Sequence, residues 1–198
     1  MSTKSVEFFF DVGSPTTYLA WTQLPAICAQ AGAALVYRPT LLGGVFQATG
    51  NASPAAVAAK GRYMNDDMAR FARRYGVPLA TNPHFPINTL TLMRGAAGVQ
   101  LRMPARFDDY LRGVFHAMWV EPLNLNDPAV AAKALHRAGF DPAEVLALTA
   151  DAEVKATLRA TTEEAVARGA FGAPTMFVGG TMFFGQDRLD FVREALAA

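Results

Sequence analysis

Apolar and polar positions over the first 40 residues predict a strand, a helix and a second strand. Residues 5–10 (SVEFFF) are almost entirely apolar, which is typical of a buried strand. Apolar residues then recur at helical spacing from Pro15 to about Ala31, and residues 34–40 (ALVYRPT) alternate as in a strand. Because the helix would connect the two strands as a crossover, this order predicts that they are parallel.

The middle of the chain has a helical pattern and no convincing strand. From Ser53 to about Arg168, segments with helical spacing are separated by Asp-Pro dipeptides and glycines. The glycine pair at 43–44, just before this block, predicts a turn. The last 25 residues change again, because PTMFV and TMFFG flank the glycine pair at 179–180 as in a β-hairpin. An amphipathic helix is predicted over residues 186–198.

These elements predict an α/β fold with an insertion. The order is β-α-β, then a long helical block, then β-β-α. The two ends can belong to one sheet only if the helical block is inserted between them. We therefore predict one domain formed by residues 1–52 and 169–198, and an all-helical domain over residues 53–168.

Composition narrows the function classes. The chain is 52% hydrophobic and 18% charged, with a net charge of +1, so nothing favours nucleic acid or an anionic membrane as a partner. Cys28 is the single cysteine, which excludes an intramolecular disulfide, a C-x-x-C pair and a cysteine-rich zinc site. The three histidines lack metal-ligand spacing, so no metal is expected. The sequence shows neither a signal peptide nor a membrane span, and a cytoplasmic location is expected.

The dipeptide Ser14-Pro15 lies where the first strand gives way to the first helix. Serine is a good N-cap and proline suits the first helical position, so helix initiation accounts for both residues. The alternative is that the Ser14 hydroxyl faces a ligand bound at this point. Taken in isolation, the dipeptide favours the capping interpretation.

Four stretches of the sequence resemble one known family. They are FFFDVGSPTTYLA, LLGGVFQATGN, KGRYMNDD and GAFGAPTMFVGGTMFFGQDRLDFV. Together they resemble the 2-hydroxychromene-2-carboxylate isomerases, which are related to kappa-class glutathione transferases and, more distantly, to bacterial disulfide oxidoreductases. The similarity runs over nearly the whole chain. It implies a thioredoxin-like fold with a large helical insertion, of the disulfide oxidoreductase and kappa-class type.

The resemblance implies a glutathione-dependent isomerase. The family interconverts 2-hydroxychromene-2-carboxylate and trans-o-hydroxybenzylidenepyruvate in bacterial naphthalene catabolism, and glutathione acts as a cofactor that is regenerated. A small aromatic carboxylate as substrate and a homodimer are implied in the same way. Two alternatives stay open, since fold alone does not establish activity. One is a kappa-class glutathione transferase or peroxidase with the same cofactor pocket, and the other is a non-catalytic glutathione-binding protein.

The resemblance also implies a catalytic role for Ser14. It occupies the position at which the redox relatives carry a nucleophilic cysteine. A hydroxyl can donate a hydrogen bond to a thiolate, and the N-terminus of the helix adds partial positive charge. Pro174 matches a proline that is cis in thioredoxin-like folds, so the backbone of Ala173 is predicted to pair with the cysteinyl backbone of glutathione.

Further glutathione contacts are implied at both ends of the chain. Gln186 and Asp187 would hold the γ-glutamyl carboxylate and ammonium groups, while Asp187 as a plain helix cap is the alternative. Lys60 would meet the glycine carboxylate, although an exposed lysine is usually only solvated. Asn51 and Arg188 match further contact positions, and Arg188 could equally pair with an acidic residue of the last helix.

The helical insertion is expected to cover the aromatic substrate. Its candidate contacts share an aromatic or polar side chain and a place in a loop or at a helix end, and they are His84, Phe85, Asn88 and Trp119. Core packing is the competing interpretation of Trp119.

Overall fold

The computed structural model describes residues 4–198 and contains one four-stranded mixed sheet. The strands are β1 (Ser5–Phe10), β2 (Ala34–Pro39), β3 (Thr175–Val178) and β4 (Thr181–Phe184). Their order in the sheet is β2-β1-β3-β4, in which β1 and β2 are parallel and β3 is antiparallel to both β1 and β4. The predicted parallel pair and the predicted hairpin are therefore confirmed.

Within residues 4–198, nine α-helices surround this sheet. They are α1 (Pro15–Gln30), α2 (Leu42–Thr49), α3 (Ala58–Tyr75), α4 (Leu90–Arg102), α5 (Phe107–Trp119), α6 (Pro128–Arg137), α7 (Pro142–Ala150), α8 (Ala152–Ala167) and α9 (Leu189–Ala197). Single 3-10 turns precede α3, α5 and α9. Aspartates cap α6, α7 and α8 through side-chain hydrogen bonds, and for α6 and α7 this cap explains the Asp-Pro starts seen in the sequence. None of the helices described is long and apolar enough to cross a membrane.

The turn predicted at residues 43–44 is wrong, because both glycines lie inside α2. No side chain caps this helix at Leu41, and glycine is a poor helix former, so local signals disfavour it. Packing decides instead. Val45 is buried, and a Cβ on Gly44 would lie 3.2 Å from Thr162 Cγ2 of α8, so the glycine permits a close approach of the two helices.

The two faces of the sheet are covered differently. On one face Val6, Phe8 and Phe10 belong to the main core, which continues into α1, α4 and α5. On the other face Phe9 and Phe177 form a small separate cluster against α8 and the residues that follow it. Thus α8, the last helix of the predicted insertion, packs directly on the sheet. The boundaries of the two predicted domains stay a prediction.

Candidate functional site

Ser14 is the N-cap of α1 and is 5% exposed. Its Oγ accepts a hydrogen bond from the Thr17 N–H at 3.2 Å, which is the geometry of a cap. The same Oγ donates to the carbonyl of Ala173 at 2.9 Å. The hydroxyl therefore caps the helix and also joins α1 to the loop that precedes β3, 159 residues further along the chain.

The Ala173-Pro174 loop provides a polar backbone edge at this place. The peptide bond between the two residues is cis, as predicted. The Ala173 carbonyl accepts from Ser14 and, at 3.4 Å, from Thr16 Oγ1. The Ala173 N–H has no hydrogen-bond partner in the described part of the chain. This N–H is consequently free to pair with an added backbone segment.

The 3-10 turn at residues 186–188 lies beside the same loop, because the Gly185 N–H donates to the Pro174 carbonyl at 3.0 Å. Gln186 is 5% exposed, and its backbone carbonyl accepts from Tyr75 Oη at 2.6 Å. Its side-chain amide has no partner within residues 4–198. Asp187 is exposed and pairs with Arg188 at 2.5 Å, so this arginine finds its acidic partner within the turn.

Asn51 and Lys60 are placed differently with respect to this site. Asn51 Nδ2 donates to the Phe171 carbonyl at 2.7 Å, so its amide holds the loop two residues before Ala173. Lys60 is exposed near the start of α3 and makes no ion pair with any described residue. The structure brings Asn51 to the loop but shows no contact between Lys60 and the other predicted residues.

Asp11, which the sequence reasoning missed, fixes the loop that carries Ser14. It is 1% exposed and accepts hydrogen bonds from the Gly13 N–H at 2.9 Å, the Leu42 N–H at 2.8 Å and Thr89 Oγ1 at 3.0 Å. Burial raises the pKa of Asp11, and these three hydrogen bonds oppose that rise. The carboxyl group thereby ties the β1–α1 loop to the starts of α2 and α4.

Trp119 is a core residue, as the competing interpretation held. It is 3% exposed, and its indole N–H donates to the Val12 carbonyl at 2.8 Å. This indole donor is already used, and the bond attaches the end of α5 to the β1–α1 loop. A contact of Trp119 with substrate stays a prediction.

The loop before α4 forms the exposed part of the predicted substrate cover. The Phe85 ring is 39% exposed and lies 6.3 Å from the Trp119 ring, centroid to centroid. His84 and Asn88 are exposed on the same loop, whose backbone is held by Asn82 and Asn126 side chains. Phe85 is thus connected to the Ser14 loop through Trp119, while contact of His84, Phe85 and Asn88 with substrate stays a prediction.

The site lacks a nucleophilic sulfur of its own. Cys28 is buried in the main core, and burial raises the pKa of its thiol to about 11. No cluster of three or more histidine, cysteine or acidic side chains among the described residues could hold a metal ion. What the arrangement offers is hydroxyl groups, a helix N-terminus and an unpaired backbone N–H, which together suit an anionic ligand that carries a peptide bond.

The chain is similar to known proteins over nearly its whole length. Residues 5–197 match the family model of the DSBA-like thioredoxin domain. The chain belongs to the DSBA-like thioredoxin family. The 2-hydroxychromene-2-carboxylate isomerase of Sphingobium xenophagum is 30% identical to this chain over 199 residues, which cover 98% of each chain. Glutathione S-transferase kappa 1 of Homo sapiens is 29% identical over 98% of this chain and 91% of that protein.

A solved structure of a 2-hydroxychromene-2-carboxylate isomerase has the same fold. It matches this DSBA-like chain with a TM-score of 0.83 at 28% identity, covering 98% of this chain and 94% of that one. The thioredoxin-like fold and the resemblance to the isomerase family are thereby confirmed. At the level of the family, the relatives support an enzyme of the isomerase or glutathione transferase kind.

Proposed function

We propose that this protein is a glutathione-dependent isomerase that acts on 2-hydroxychromene-2-carboxylate or a close analogue. The observation that carries the proposal is the position of Ser14. Its buried hydroxyl lies at the N-terminus of α1, 2.9 Å from the Ala173 carbonyl and next to the unpaired Ala173 N–H. A cysteinyl residue bound along Ala173 would have its sulfur close to this hydroxyl.

The polar groups of the chain fit three parts of glutathione. The free Ala173 N–H suits the central peptide carbonyl, as in the addition of a short strand. The unpartnered amide of Gln186 suits the γ-glutamyl carboxylate, and the exposed carboxylate of Asp187 suits its ammonium group. Lys60, an exposed cation on α3, would meet the glycine carboxylate.

Glutathione, when bound, would supply a thiol that adds reversibly to the conjugated double bond of the substrate and so permits rotation about it. The role of Ser14 is to donate a hydrogen bond to the sulfur and so to favour the charged thiolate over the thiol. The helix dipole of α1 acts in the same direction. The Thr17 N–H orients the Ser14 oxygen, so that the hydroxyl proton is directed away from the helix.

The loop before α4 would cover the aromatic substrate. Phe85 offers an exposed ring next to the buried Trp119, which suits an aromatic group. His84 and Asn88 offer polar side chains for the carboxylate of the substrate. In this proposal the helical insertion determines which substrate binds, while Ser14 and Ala173 bind the cofactor.

An isomerase assay with and without glutathione tests the proposal. Conversion of 2-hydroxychromene-2-carboxylate, followed by absorbance, is expected to require glutathione and to leave its concentration unchanged. Ser14→Ala is expected to lower turnover by about 100-fold or more. Ser53→Ala is the matched control, since Ser53 also caps a turn that begins with proline but accepts only from the nearby Ala55 N–H. Turnover without glutathione, or equal turnover in Ser14→Ala, would contradict the proposal.

A glutathione transferase is the second candidate, because the human relative at 29% identity carries that name. The same assay separates the two. A transferase consumes one glutathione for each product molecule, whereas an isomerase returns it. Binding of glutathione with neither activity would leave a non-catalytic binding protein.

A further inference from the structure

Thr16 places a second hydroxyl against Ser14. Its Oγ1 lies 2.9 Å from Ser14 Oγ and 3.4 Å from the Ala173 carbonyl oxygen. Ser14 Oγ lies 2.9 Å from that same oxygen. Three oxygen atoms therefore form a closed triangle that contains two hydroxyl protons and one carbonyl group.

The two protons can be arranged in two ways. In the first, Ser14 donates to the Ala173 carbonyl and Thr16 donates to Ser14. In the second, Thr16 donates to the carbonyl, and the proton of Ser14 is available to a third partner. The Thr17 N–H donates to Ser14 Oγ in both arrangements, so the change requires only that two hydroxyl groups rotate.

We propose that Thr16 is a positioning residue that allows Ser14 to turn its proton toward the sulfur of glutathione. The inference rests on the proposed function. Without Thr16, the Ala173 carbonyl would lose its hydroxyl partner whenever Ser14 turned away, and a half-buried carbonyl without a partner opposes that turn. With Thr16 present, the carbonyl keeps a donor throughout.

The neighbouring threonine shows that this arrangement is specific to position 16. The Thr17 hydroxyl is completely buried and has no hydrogen-bond partner among the described residues. Of the two threonine hydroxyls in the first turn of α1, only that of Thr16 contacts Ser14 and the Ala173 loop. A hydroxyl in this turn is therefore not enough, because its direction decides whether it joins the triangle.

The test is the pKa of the glutathione thiol in the complex, followed by the ultraviolet absorbance of the thiolate during a pH titration. Thr16→Val keeps the shape of the side chain and removes the hydroxyl. It is expected to raise this pKa by about one pH unit, which corresponds to the loss of one neutral hydrogen bond. Thr16→Ser is expected to restore the wild-type value. Thr22→Val is the matched control, since Thr22 lies on α1 and bonds only to its own helix.

The variants also distinguish this inference from the proposed function. If the wild type fails to lower the thiol pKa and Ser14→Ala behaves identically, the proposed function is wrong. If Ser14→Ala raises the pKa but Thr16→Val does not, only the role of Thr16 is overturned. That outcome would mean that another donor, such as the cysteinyl N–H of glutathione, serves the Ala173 carbonyl. Thr16→Ala repeats the comparison should the valine disturb folding, which thermal unfolding would reveal.

Discussion

The two polar sides of the candidate site differ in how far their hydrogen bonds are already made. On the hydroxyl side, formed by Ser14, Thr16 and the Ala173 carbonyl, every oxygen has a partner within the protein. On the turn side, formed by the Gln186 side chain and the Ala173 N–H, the polar groups have no partner among residues 4–198. A ligand must exchange hydrogen bonds on the first side but gains new ones on the second.

This difference separates catalysis from affinity. Exchange of one neutral acceptor for another gains little free energy, whereas a charged acceptor makes a stronger bond. The hydroxyl side therefore favours a thiolate over a thiol without adding much to the affinity for the neutral thiol form. The turn side adds affinity whatever the charge on the sulfur. Variants of the two sides should consequently change different quantities.

The largest effect is expected from Ser14→Ala. Loss of the donor to the sulfur should lower kcat by about 100- to 1,000-fold, as for the loss of one donor to a developing anion. The dissociation constant of glutathione, measured by calorimetry below the pKa of the thiol, should change much less. An equal loss in kcat and in affinity for the neutral thiol would show that the two sides do not divide the work in this way.

Asp11→Asn is expected to have the next largest effect, through the scaffold of the hydroxyl side. In the wild type the Asp11 carboxyl group accepts hydrogen bonds from three donors, and in the variant the amide NH2 would face one of them. The free energy of unfolding should therefore fall by about 2 to 3 kcal/mol. Urea denaturation measures this loss. Asp127→Asn is the control, because Asp127 caps α6 on the surface and asparagine caps equally well. Equal stability of the two variants would contradict the anchoring role of Asp11.

The stability difference between wild type and Asp11→Asn should also depend on pH. Because burial raises the pKa of Asp11, folding takes up a proton between the ordinary value of an aspartate and the raised value. The contribution of this group is full below the ordinary value and declines as the pH rises through the window. The difference in unfolding free energy between wild type and Asp11→Asn should therefore shrink with rising pH. A difference that grows would contradict the direction of the shift.

Gln186→Leu is expected to have a smaller effect, confined to the turn side. Loss of one hydrogen bond to the ligand should weaken glutathione binding about 5-fold, while kcat at saturation stays near the wild-type value. Isothermal titration and steady-state kinetics measure the two quantities. Gln47→Leu on the exposed surface of α2 provides the control. A fall in kcat with unchanged affinity would contradict this prediction, because it would show that Gln186 acts on catalysis and not on affinity.

The smallest effect is expected from Thr17→Val. The buried hydroxyl of Thr17 has no partner among the described residues, so its replacement by a methyl group should raise the free energy of unfolding by up to about 1 kcal/mol. For a chain of this size, that corresponds to a rise of about 2 to 4 °C in Tm. Thermal unfolding checks it. A lower Tm would show that this hydroxyl is in fact satisfied.

The sequence was sufficient for features whose signals are local. Ser14 and Pro15 predict a helix start, and the glycine pair at 179–180 predicts a hairpin. Both features lie where the pattern predicts them. Ala173, the residue before Pro174, contacts Ser14 although the two lie 159 positions apart in the chain. Only the resemblance to a known family led us to expect Pro174 opposite Ser14. No periodicity could have supplied that pairing.

Other features depend on packing and could not be predicted. Helix α2 contains two glycines and gets no cap from its own N-cap residue Leu41, so contact with α8 and the hydrogen bond from the Leu42 N–H to Asp11 hold it in place. The bond between Asp11 and Thr89 joins positions 78 residues apart, so neither residue signals the other in the sequence. Thr16 is a middle case. Its hydroxyl lies two residues from Ser14 and is visible in the sequence, but its direction follows only from the fold.

A crystal structure of the protein with glutathione would show directly whether Ser14 and Ala173 hold the cysteinyl part of this ligand. We expect the sulfur to lie within hydrogen-bond distance of Ser14 Oγ and the cysteinyl carbonyl to accept from the Ala173 N–H. We also expect Thr16 Oγ1 to move closer to the Ala173 carbonyl. Glutathione bound elsewhere, or bound with its sulfur directed away from Ser14 while that hydroxyl still donates to Ala173, would contradict it.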